Sequence, residues 1–448
     1  MDRWAVRPDV VDGVGRVVLN SAVIAAVLAI AVLITVLPRL GAHHTEEGRT
    51  LVEVWSWDIA QKSLDSLTPG FEQTHPDIDV QVVQAGAQVQ SRFLLSLASD
   101  VGAPTVQQLQ DREAAKFIGT GRLFDLTPYA SSYGDDFSPA FWSNCLHDGR
   151  VRALPWDTGP CAVFYKRWLF ERYDVDPESI ETWDDFIDVG RLILERSGGR
   201  TKMLPMTSAE LTPFFEIMMC QRAGGLFDEA GRIILNSQAN RDVLALIRRM
   251  LDAGICAPVR PYSPELIASY TTDTIASYPT AVWKMQEIKD NHGGTAGKWG
   301  VFRLPAFEPG GRRVSNLGGS VLVIPDQGDA CEEAWLFLEQ ANCTVEGQVH
   351  QYQNWGLFPA YLPALEHPIF DEPDAFFGGQ RVHRLFATEL DQIPSLVRTR
   401  DWNEALAMVT QTLTAWAEEE QEHERYLRNL SAAMGRKLRR EAVDEGAP

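Results

Sequence analysis

The sequence is short of positive charge. It has 41 Lys and Arg residues against 61 Asp and Glu residues, which gives a formal net charge of −20 at pH 7. A surface of this sign repels the phosphate backbones of DNA and RNA, so we expect no nucleic-acid partner. Acidity by itself selects no particular neutral or cationic ligand.

Recognisable catalytic and metal-binding patterns are also missing. The sequence has no G-x-S-x-G elbow and no H-E-x-x-H motif, and His43-His44 belongs to a polar tether. The many carboxylates leave an extracellular glycosidase open, but nothing selects the pair of acids that such an enzyme needs. We therefore expect no catalysis, no metal and no cofactor.

Cysteine is scarce and its spacing matches no zinc site. An even number of cysteines in an exported domain is compatible with disulfides, although the pairing stays open. Cys331 and Cys343 are expected on one helix, about 18 Å apart at the helical rise and too far apart to bridge. The six cysteines are Cys145, Cys161, Cys220, Cys256, Cys331 and Cys343.

One long apolar run is present near the N-terminus. Residues 17–38 carry no charge, which is roughly the 20 residues that cross a bilayer and longer than the apolar core of about 7–15 residues in a cleaved signal. We expect a cytoplasmic segment 1–16, a transmembrane anchor or uncleaved signal 17–38 and a tether 39–50. A removed signal peptide is the alternative. Both place the globular part outside the cytoplasm, at the cell membrane if the anchor stays.

A chain of 448 residues is too long for one ordinary core, so we expect two or more lobes. Its first half alternates between the periodicities of strands and helices, which is typical of an α/β sheet whose ligands gather beyond the carboxyl ends of the strands. Pro69-Gly70 is expected to break or bend the first helix. Predicted strands cover 51–55, 78–82 and 105–109, and predicted helices cover 59–73, 90–99 and 112–119.

Residues 150–166 form an apolar, β-prone stretch that is interrupted at Asp157-Thr158-Gly159-Pro160. Proline donates no ladder hydrogen bond and glycine tolerates unusual backbone angles, so the stretch predicts two strand pieces joined by a bend. Such a bend suits a crossing between two lobes. A bulged strand within one domain is the alternative.

Six short motifs follow one another along roughly residues 51–411, and no single one is specific. They are Phe71-Glu72-x4-Asp77-Ile78-x-Val80, Gly121-x-Leu123-x-Asp125-Leu126-Thr127-Pro128-Tyr129, Leu154-Pro155-Trp156-Asp157-x4-Val163-Phe164-Tyr165, Thr182-Trp183-Asp184-Asp185-Phe186, Gly300-Val301-x-x-Leu304-Pro305 and Gly318-Gly319-Ser320. Taken together and in this order, they resemble the extracellular solute-binding proteins, family 1, of ABC importers, the group that contains maltose-binding protein.

The resemblance implies a two-lobed α/β fold of the periplasmic-binding-protein type (type II). It implies a monomer that closes on a solute and hands it to ABC permease subunits in the membrane. Lobe one would comprise 51–156 and 272–318, and lobe two 160–268 and 325–430. A charged C-terminal tail, 431–448, would follow.

Sugars pair apolar ring faces with many hydroxyls, and a site for them combines aromatic platforms with carboxylates. For each tryptophan core packing is the alternative role; Asp111 could instead cap a helix, and Gly318-Gly319 could be a plain turn. The predicted ligand-binding residues are Trp57, Asp58, Asp111, Arg112, Trp156, Asp157, Trp283, Gly318, Gly319, Trp355 and Trp402.

A carbohydrate receptor for an ABC importer is therefore the first hypothesis. Receptors of the same fold for a phosphate ester or a polyamine come next, followed by a tethered ligand sensor. An extracellular glycosidase is the remaining alternative.

Overall fold

The predicted N-terminal segments 1–16 and 17–38, and most of the tether 39–50, lie outside the residues that the structure describes. Within the described part, no helix has the length and apolar character that a bilayer crossing requires. The computed structural model describes residues 48–86, 88–208, 211–261, 263–291 and 293–443.

Strands form where apolar and β-branched residues alternate or run together, as in the buried Val52 and Val54 of β1. The predicted strands 51–55, 78–82 and 105–109 are observed as β1 to β3. The strands are β1 Thr50–Ser56, β2 Ile78–Gln84, β3 Val106–Gln110, β4 Leu146–His147, β5 Arg150–Val151, β6 Leu154–Lys166, β7 Leu204–Pro205, β8 Cys256–Ala257, β9 Ser277–Ala281, β10 Trp299–Arg303 and β11 Asn316–Val323.

The first helix is not broken at Pro69 but continues through it, with Leu67 and Phe71 buried on either side of the proline. The helices are α1 Asp58–Thr74, α2 Val89–Ser99, α3 Asp111–Ile118, α4 Thr127–Ala130, α5 Pro139–Trp142, α6 Arg167–Arg172, α7 Trp183–Arg196, α8 Thr212–Gln221, α9 Gln238–Asp252, α10 Pro264–Ser269, α11 Lys284–Asp290, α12 Cys331–Asn342, α13 Val345–Trp355, α14 Val382–Ala387, α15 Trp402–Glu418 and α16 His423–Leu438.

Lobe one is a sheet covered by helices on both faces. Its strands follow the order β2, β1, β3, β11 and then the first half of β6. β1 runs parallel to β2 and β3, whereas β11 is antiparallel to β3. Side chains of α1 and α12 pack on one face of this sheet, and side chains of α2 and α3 pack on the other. The core therefore lies in two apolar layers that hold the ends of β1 and β3 at a common edge.

The 13-residue strand β6 belongs to both lobes. Its first half pairs with β11, and its second half lies between β9 and β10. Residues of that second half pack in a separate core with α7, α8, α9 and α15, which forms lobe two. The predicted crossing between lobes therefore lies within a single strand, near Gly159 and Pro160.

This pairing corrects the predicted lobe boundaries. β9 and β10, within the segment 272–318 assigned to lobe one, pair with the lobe-two half of β6. α12, within the segment 325–430 assigned to lobe two, packs on the lobe-one sheet. The prediction thus placed β9 and β10 in the wrong lobe, and α12 as well. The reason is that the chain re-enters lobe one only at β11. It leaves again near Phe358, whose carbonyl accepts a hydrogen bond from the Thr158 N–H at 2.9 Å.

The predicted charged tail 431–448 is also corrected. Its first part, residues 431–438, belongs to helix α16 and buries Ser431 and Met434. The chain then returns to lobe two, where the Val443 N–H donates to the Ile233 carbonyl at 2.8 Å. The six cysteines all fall among the described residues and remain as thiols. Cys331 opens α12 and Cys343 caps its end, as predicted.

Candidate ligand-binding site

A cavity of about 720 Å³ lies between the two lobes, beyond the carboxyl ends of β1 and β3. α1, α3 and β11 supply its lobe-one wall, and α8 and α15 supply much of the opposite wall. Parallel strands that end at one edge bring their following residues together, which is why sequence neighbours of strand ends meet here. The predicted residues that line the cavity are Trp57, Asp58, Asp111, Arg112, Asp157, Trp283, Gly318, Gly319 and Trp402.

Polar side chains along the lobe-one wall are linked to one another by hydrogen bonds. Ser56 donates to Oε1 of Gln108 at 2.5 Å, and Nε2 of Gln108 donates to Oγ of Ser320 at 3.2 Å. Ser320 in turn hydrogen-bonds to the carboxylate of Asp157. Because these residues sit on neighbouring strands, the sheet register fixes the position of the carboxylate.

Asp157 lies where the lobe-one half of β6 ends. Burial raises the pKa of this carboxyl to about 6, the hydrogen bonds from Ser320 oppose that rise, and the nearby Asp111 adds to it. Its buried Oδ1 has no hydrogen-bond partner among the described residues. The side chain therefore keeps an acceptor on the cavity wall.

Asp111 opens α3 and is buried, with its side chain 4% exposed. Its Oδ2 lies 2.8 Å from Nη2 of Arg398, an ion pair that joins lobe one to the segment before α15. Burial raises the pKa of Asp111, and the guanidinium of Arg398 opposes that rise. The carboxylate and the guanidinium thus form one neutral pair on the cavity wall.

The cavity is acidic overall. Burial raises the pKa of Glu216 on α8, while Arg112 and Arg398 lower it. Arg112 is exposed at the cavity, and its Nε donates to Oε1 of Gln110 at 3.0 Å. Carboxylates outnumber the arginines: the wall carries Asp58, Asp111, Asp157 and Glu216 against Arg112 and Arg398.

Aromatic rings lie beside these polar groups. Trp57 follows β1 directly, and its backbone N–H donates to Oε1 of Gln108 at 3.3 Å. Trp283 donates from Nε1 to the Leu317 carbonyl at 3.1 Å, and both indoles are only partly buried. Trp402 is 1% exposed and lies under the guanidinium of Arg398, 5.1 Å from ring centroid to Cζ. The exposed indole surface therefore comes from Trp57 and Trp283.

Gly318 and Gly319 bring the backbone of β11 close to β6. Their φ angles are +87° and +110°, a conformation that favours glycine. A Cβ at Gly319 would lie 2.8 Å from the Asp157 carbonyl oxygen. Both glycines line the cavity, so backbone forms part of its wall.

Trp156 and Trp355 lie outside the cavity, which corrects their prediction as site residues. Trp156 precedes Asp157 on β6, and alternation along a strand turns it into the lobe-one core, where its Nε1 donates to Gln351 at 2.6 Å. Trp355 ends α13 and donates from Nε1 to Oγ of Ser66 at 3.3 Å. Trp156 therefore serves core packing, and Trp355 lies at the end of α13, away from the cavity.

The comparison with known families decides what kind of protein this is. A family model described as bacterial extracellular solute-binding protein matches residues 42–341, more than half of the chain. The chain belongs to this family. The predicted resemblance is thereby confirmed, and so is the expectation of a binding protein rather than an enzyme.

Relatives of this solute-binding protein cover most of its length. The arabinooligosaccharide-binding protein of Halalkalibacterium halodurans is 27% identical over 78% of this chain and 80% of its own. The lactose-binding protein of Rhizobium radiobacter is 26% identical over 77% of this chain and 83% of its own. Among solved structures, the sugar-binding protein MalE from Xanthomonas citri superposes with a TM-score of 0.77 at 20% identity, covering 87% and 98% of the two chains.

Sequence reasoning missed several polar residues of this solute-binding protein. Arg398 and Glu216 come from lobe two, far along the chain from the strand ends that guided the prediction. Gln108 lies within β3, where a glutamine among buried residues was the available signal. Within the described ranges, no group of three or more His, Cys, Asp or Glu side chains could hold a metal ion.

Proposed function

We propose that this solute-binding protein binds a sugar or short oligosaccharide between its lobes and delivers it to the permease of an ABC importer. The observation that carries the proposal is the pairing of indoles with carboxylates in one interlobe cavity. Trp57 is followed directly by Asp58, and Trp283 contacts β11, which also holds Ser320, the partner of Asp157.

The chemistry of the cavity matches a polyhydroxylated, uncharged guest. An indole covers the apolar C–H face of a sugar ring, and carboxylates accept hydrogen bonds from its hydroxyls. The unpaired Oδ1 of Asp157 supplies one such acceptor. A volume of about 720 Å³ falls within the range of roughly 300–1,000 Å³ for small-molecule sites.

The relatives support the same class of ligand. By their names, two arabinooligosaccharide-binding proteins and a lactose-binding protein bind oligosaccharides, and each covers at least 77% of this chain. The side chains available here, indoles and acids, suit either sugar.

The proposal includes the position of the protein at the membrane and the class of its fold. The uncharged segment 17–38 would anchor the chain, and the folded part begins close behind it, with β1 at Thr50. A short tether would keep the cavity near the permease. We assign the fold to the type II class of two-lobed binding proteins.

Isothermal titration of the protein with α-1,5-arabinotriose, lactose and maltotriose tests the proposal, with spermidine and glycerol phosphate as alternative ligands. We expect saturable binding of at least one sugar, a change in tryptophan emission, and no release of product over hours. A sugar at a hundredfold excess over its dissociation constant would stabilise the fold by about 2.7 kcal/mol. Binding of spermidine or glycerol phosphate with no response to any sugar would overturn the proposal.

A further inference from the structure

The last residues that the structure describes, 439–443, run from the end of α16 across lobe two, and we call them the C-terminal strap. The strap pairs with a hairpin at residues 227–233. The Ile233 N–H donates to the Glu441 carbonyl at 2.8 Å, and the Val443 N–H donates to the Ile233 carbonyl at 2.8 Å. The strap lies outside residues 42–341, which the family model matches, so that match assigns it no role.

The side chain of Arg440 joins the strap to two parts of lobe two. Its Nε donates to Oδ2 of Asp401 at 2.7 Å, and its Nη1 donates to the Gly231 carbonyl at 2.8 Å. Its Cζ lies 5.2 Å from the ring centroid of Phe227, a cation–π contact. The side chains of Arg440 and Asp401 are only 21% and 20% exposed, so solvent screens their ion pair less than an exposed one.

Asp401 directly precedes α15, a position where an aspartate usually caps the helix. Within residues 401–418, all of which the structure describes, its side chain caps no backbone N–H. Oδ2 of the carboxylate accepts from Arg440 instead, and Oδ1 lies 3.9 Å from Nε of the exposed Arg400. The start of α15 is therefore fixed from outside the helix, by the strap.

A row of packed side chains connects Arg440 to the cavity wall. The ring of Phe227 lies 6.4 Å, centroid to centroid, from the indole of Trp402, and the guanidinium of Arg398 covers that indole. Phe227 and Trp402 are buried in the lobe-two core. Trp402 and Arg398 line the cavity, whereas Arg440 and Asp401 lie behind its described lining. Close-packed side chains transmit small displacements, so a shift of Arg440 reaches the wall.

The stretch of wall before α15 depends on the same anchor. Residues 393–401, all of them described, form neither helix nor strand. A segment of this kind has few backbone hydrogen bonds of its own, so the elements at its ends set its position. Its C-terminal end is Asp401, the partner of Arg440. The segment contributes to the cavity lining Ile393, Pro394, Leu396 and Arg398.

We propose that the C-terminal strap positions the lobe-two wall of the ligand cavity, with Arg440 as a positioning residue that acts through Asp401 and Phe227. The inference rests on the proposed function, because it requires a ligand in that cavity. Arg440 does not line the cavity. Its effect on affinity comes from holding the wall in the shape that the ligand meets. Without it, part of the binding free energy is spent on ordering the wall segment.

Isothermal titration of the full-length protein with α-1,5-arabinotriose, lactose and maltotriose tests the role of Arg440. Arg440→Gln keeps a polar side chain but loses the ion pair and the planar fork of donors. For every sugar that the wild type binds, we expect about 3- to 30-fold weaker binding to this variant. Asp401→Asn should weaken binding in the same direction. The double variant should bind no more weakly than Arg440→Gln, because both substitutions remove one contact.

Two controls separate positioning from a general loss of stability. Lys437→Gln removes another ion pair between α15 and α16, in which Nζ lies 2.9 Å from Oε1 of Glu404 and both side chains are about half exposed. Such a pair contributes little, so this variant should bind like the wild type. Met434→Ala leaves a cavity under α16 and should lower stability in urea unfolding. Its dissociation constant should stay that of the wild type at a temperature where the variant is fully folded.

The outcomes distinguish the inference from the proposed function. Affinity that is unchanged in Arg440→Gln overturns the inference alone. The same holds if Met434→Ala loses as much affinity as Arg440→Gln, because a general loss of stability would then explain both. A wild type that binds none of the three sugars overturns the proposed function and this inference with it.

Discussion

Asp157→Asn is expected to stabilise the folded protein while it weakens sugar binding. The carboxyl sits on the cavity wall at the junction of the lobes, where burial raises its pKa to about 6. An amide of nearly the same shape carries no charge to bury. It also replaces a charged acceptor with a weaker neutral one. Gain of stability and loss of affinity should therefore come from the same substitution.

The size of the stability gain follows from the pKa in the two states. Between the unfolded value of 3.8 and the folded value of about 6, the folded protein binds more protons than the unfolded chain. Stability therefore falls as the pH rises through this window and then levels off. The raised pKa lowers the free energy of unfolding by about 3 kcal/mol at pH 7, but only by about 1 kcal/mol at about pH 4.5. Asp157→Asn should recover these amounts.

Urea unfolding of wild type and variant at both pH values measures the difference. Asp125→Asn is the matched control, and its expected effect on stability has the opposite sign. The pKa of Asp125 is lowered, first of all by the hydrogen bond from the Thr127 side chain, so its loss should destabilise the protein at pH 7 and matter less in acid. The reasoning is refuted if Asp157→Asn is less stable than wild type at pH 7, or if its advantage does not shrink in acid.

Three further substitutions have defined outcomes. Gly319→Ala places a methyl group 2.8 Å from the Asp157 carbonyl at φ +110°, so urea unfolding should show about 1–3 kcal/mol lower stability; unchanged stability would contradict the geometry. Trp57→Ala should weaken sugar binding about tenfold in titration calorimetry through loss of the aromatic platform, whereas Trp355→Phe, outside the cavity, should bind like wild type. Burial raises the pKa of Glu389 from 4.5 to about 8, so the contribution of this carboxyl to stability should fall as the pH rises from 4.5 to about 8. The free energy of unfolding of Glu389→Gln, relative to wild type, should therefore increase over that range. A difference between the two proteins that stays constant with pH would contradict the raised pKa of Glu389.

The local structure of lobe one could be predicted from the sequence because each element has its own signal. Alternation marked β1 to β3. Lobe two has a local signal of the same kind, the capping box of Thr182 and Asp185 at the start of α7. The residues after β1 and β3 meet in one cavity for a topological reason that needs no distances: parallel neighbours end at the same edge.

Long-range partners could not be predicted in the same way. Periodicity identifies β9 and β10 as strands but does not indicate which strand each one pairs with. The prediction therefore assigned them to lobe one, whereas they belong to lobe two. Arg398 has no local signature, since its importance comes from a carboxylate 2.8 Å away in another lobe. Trp156 and Asp157 are adjacent in sequence, but their side chains lie on different sides of β6. Trp156 packs in the core and Asp157 lines the cavity, and the sequence does not indicate which side faces which.

The irregular pairing of β6 with β11 lies between the site and the crossing to lobe two. The ladder between β6 and β11 shifts register between Asn316 and Gly319 and again between Ser320 and Val321. A Cβ at Gly159 would lie 2.1 Å from the Leu317 carbonyl oxygen, so the strands approach too closely here for any side chain. An irregular ladder can bend with few hydrogen bonds lost. Because Ser320 also holds Asp157, a ligand bound to that carboxylate acts at the bending point, and we infer that substitutions there change affinity through closure as well as through contact.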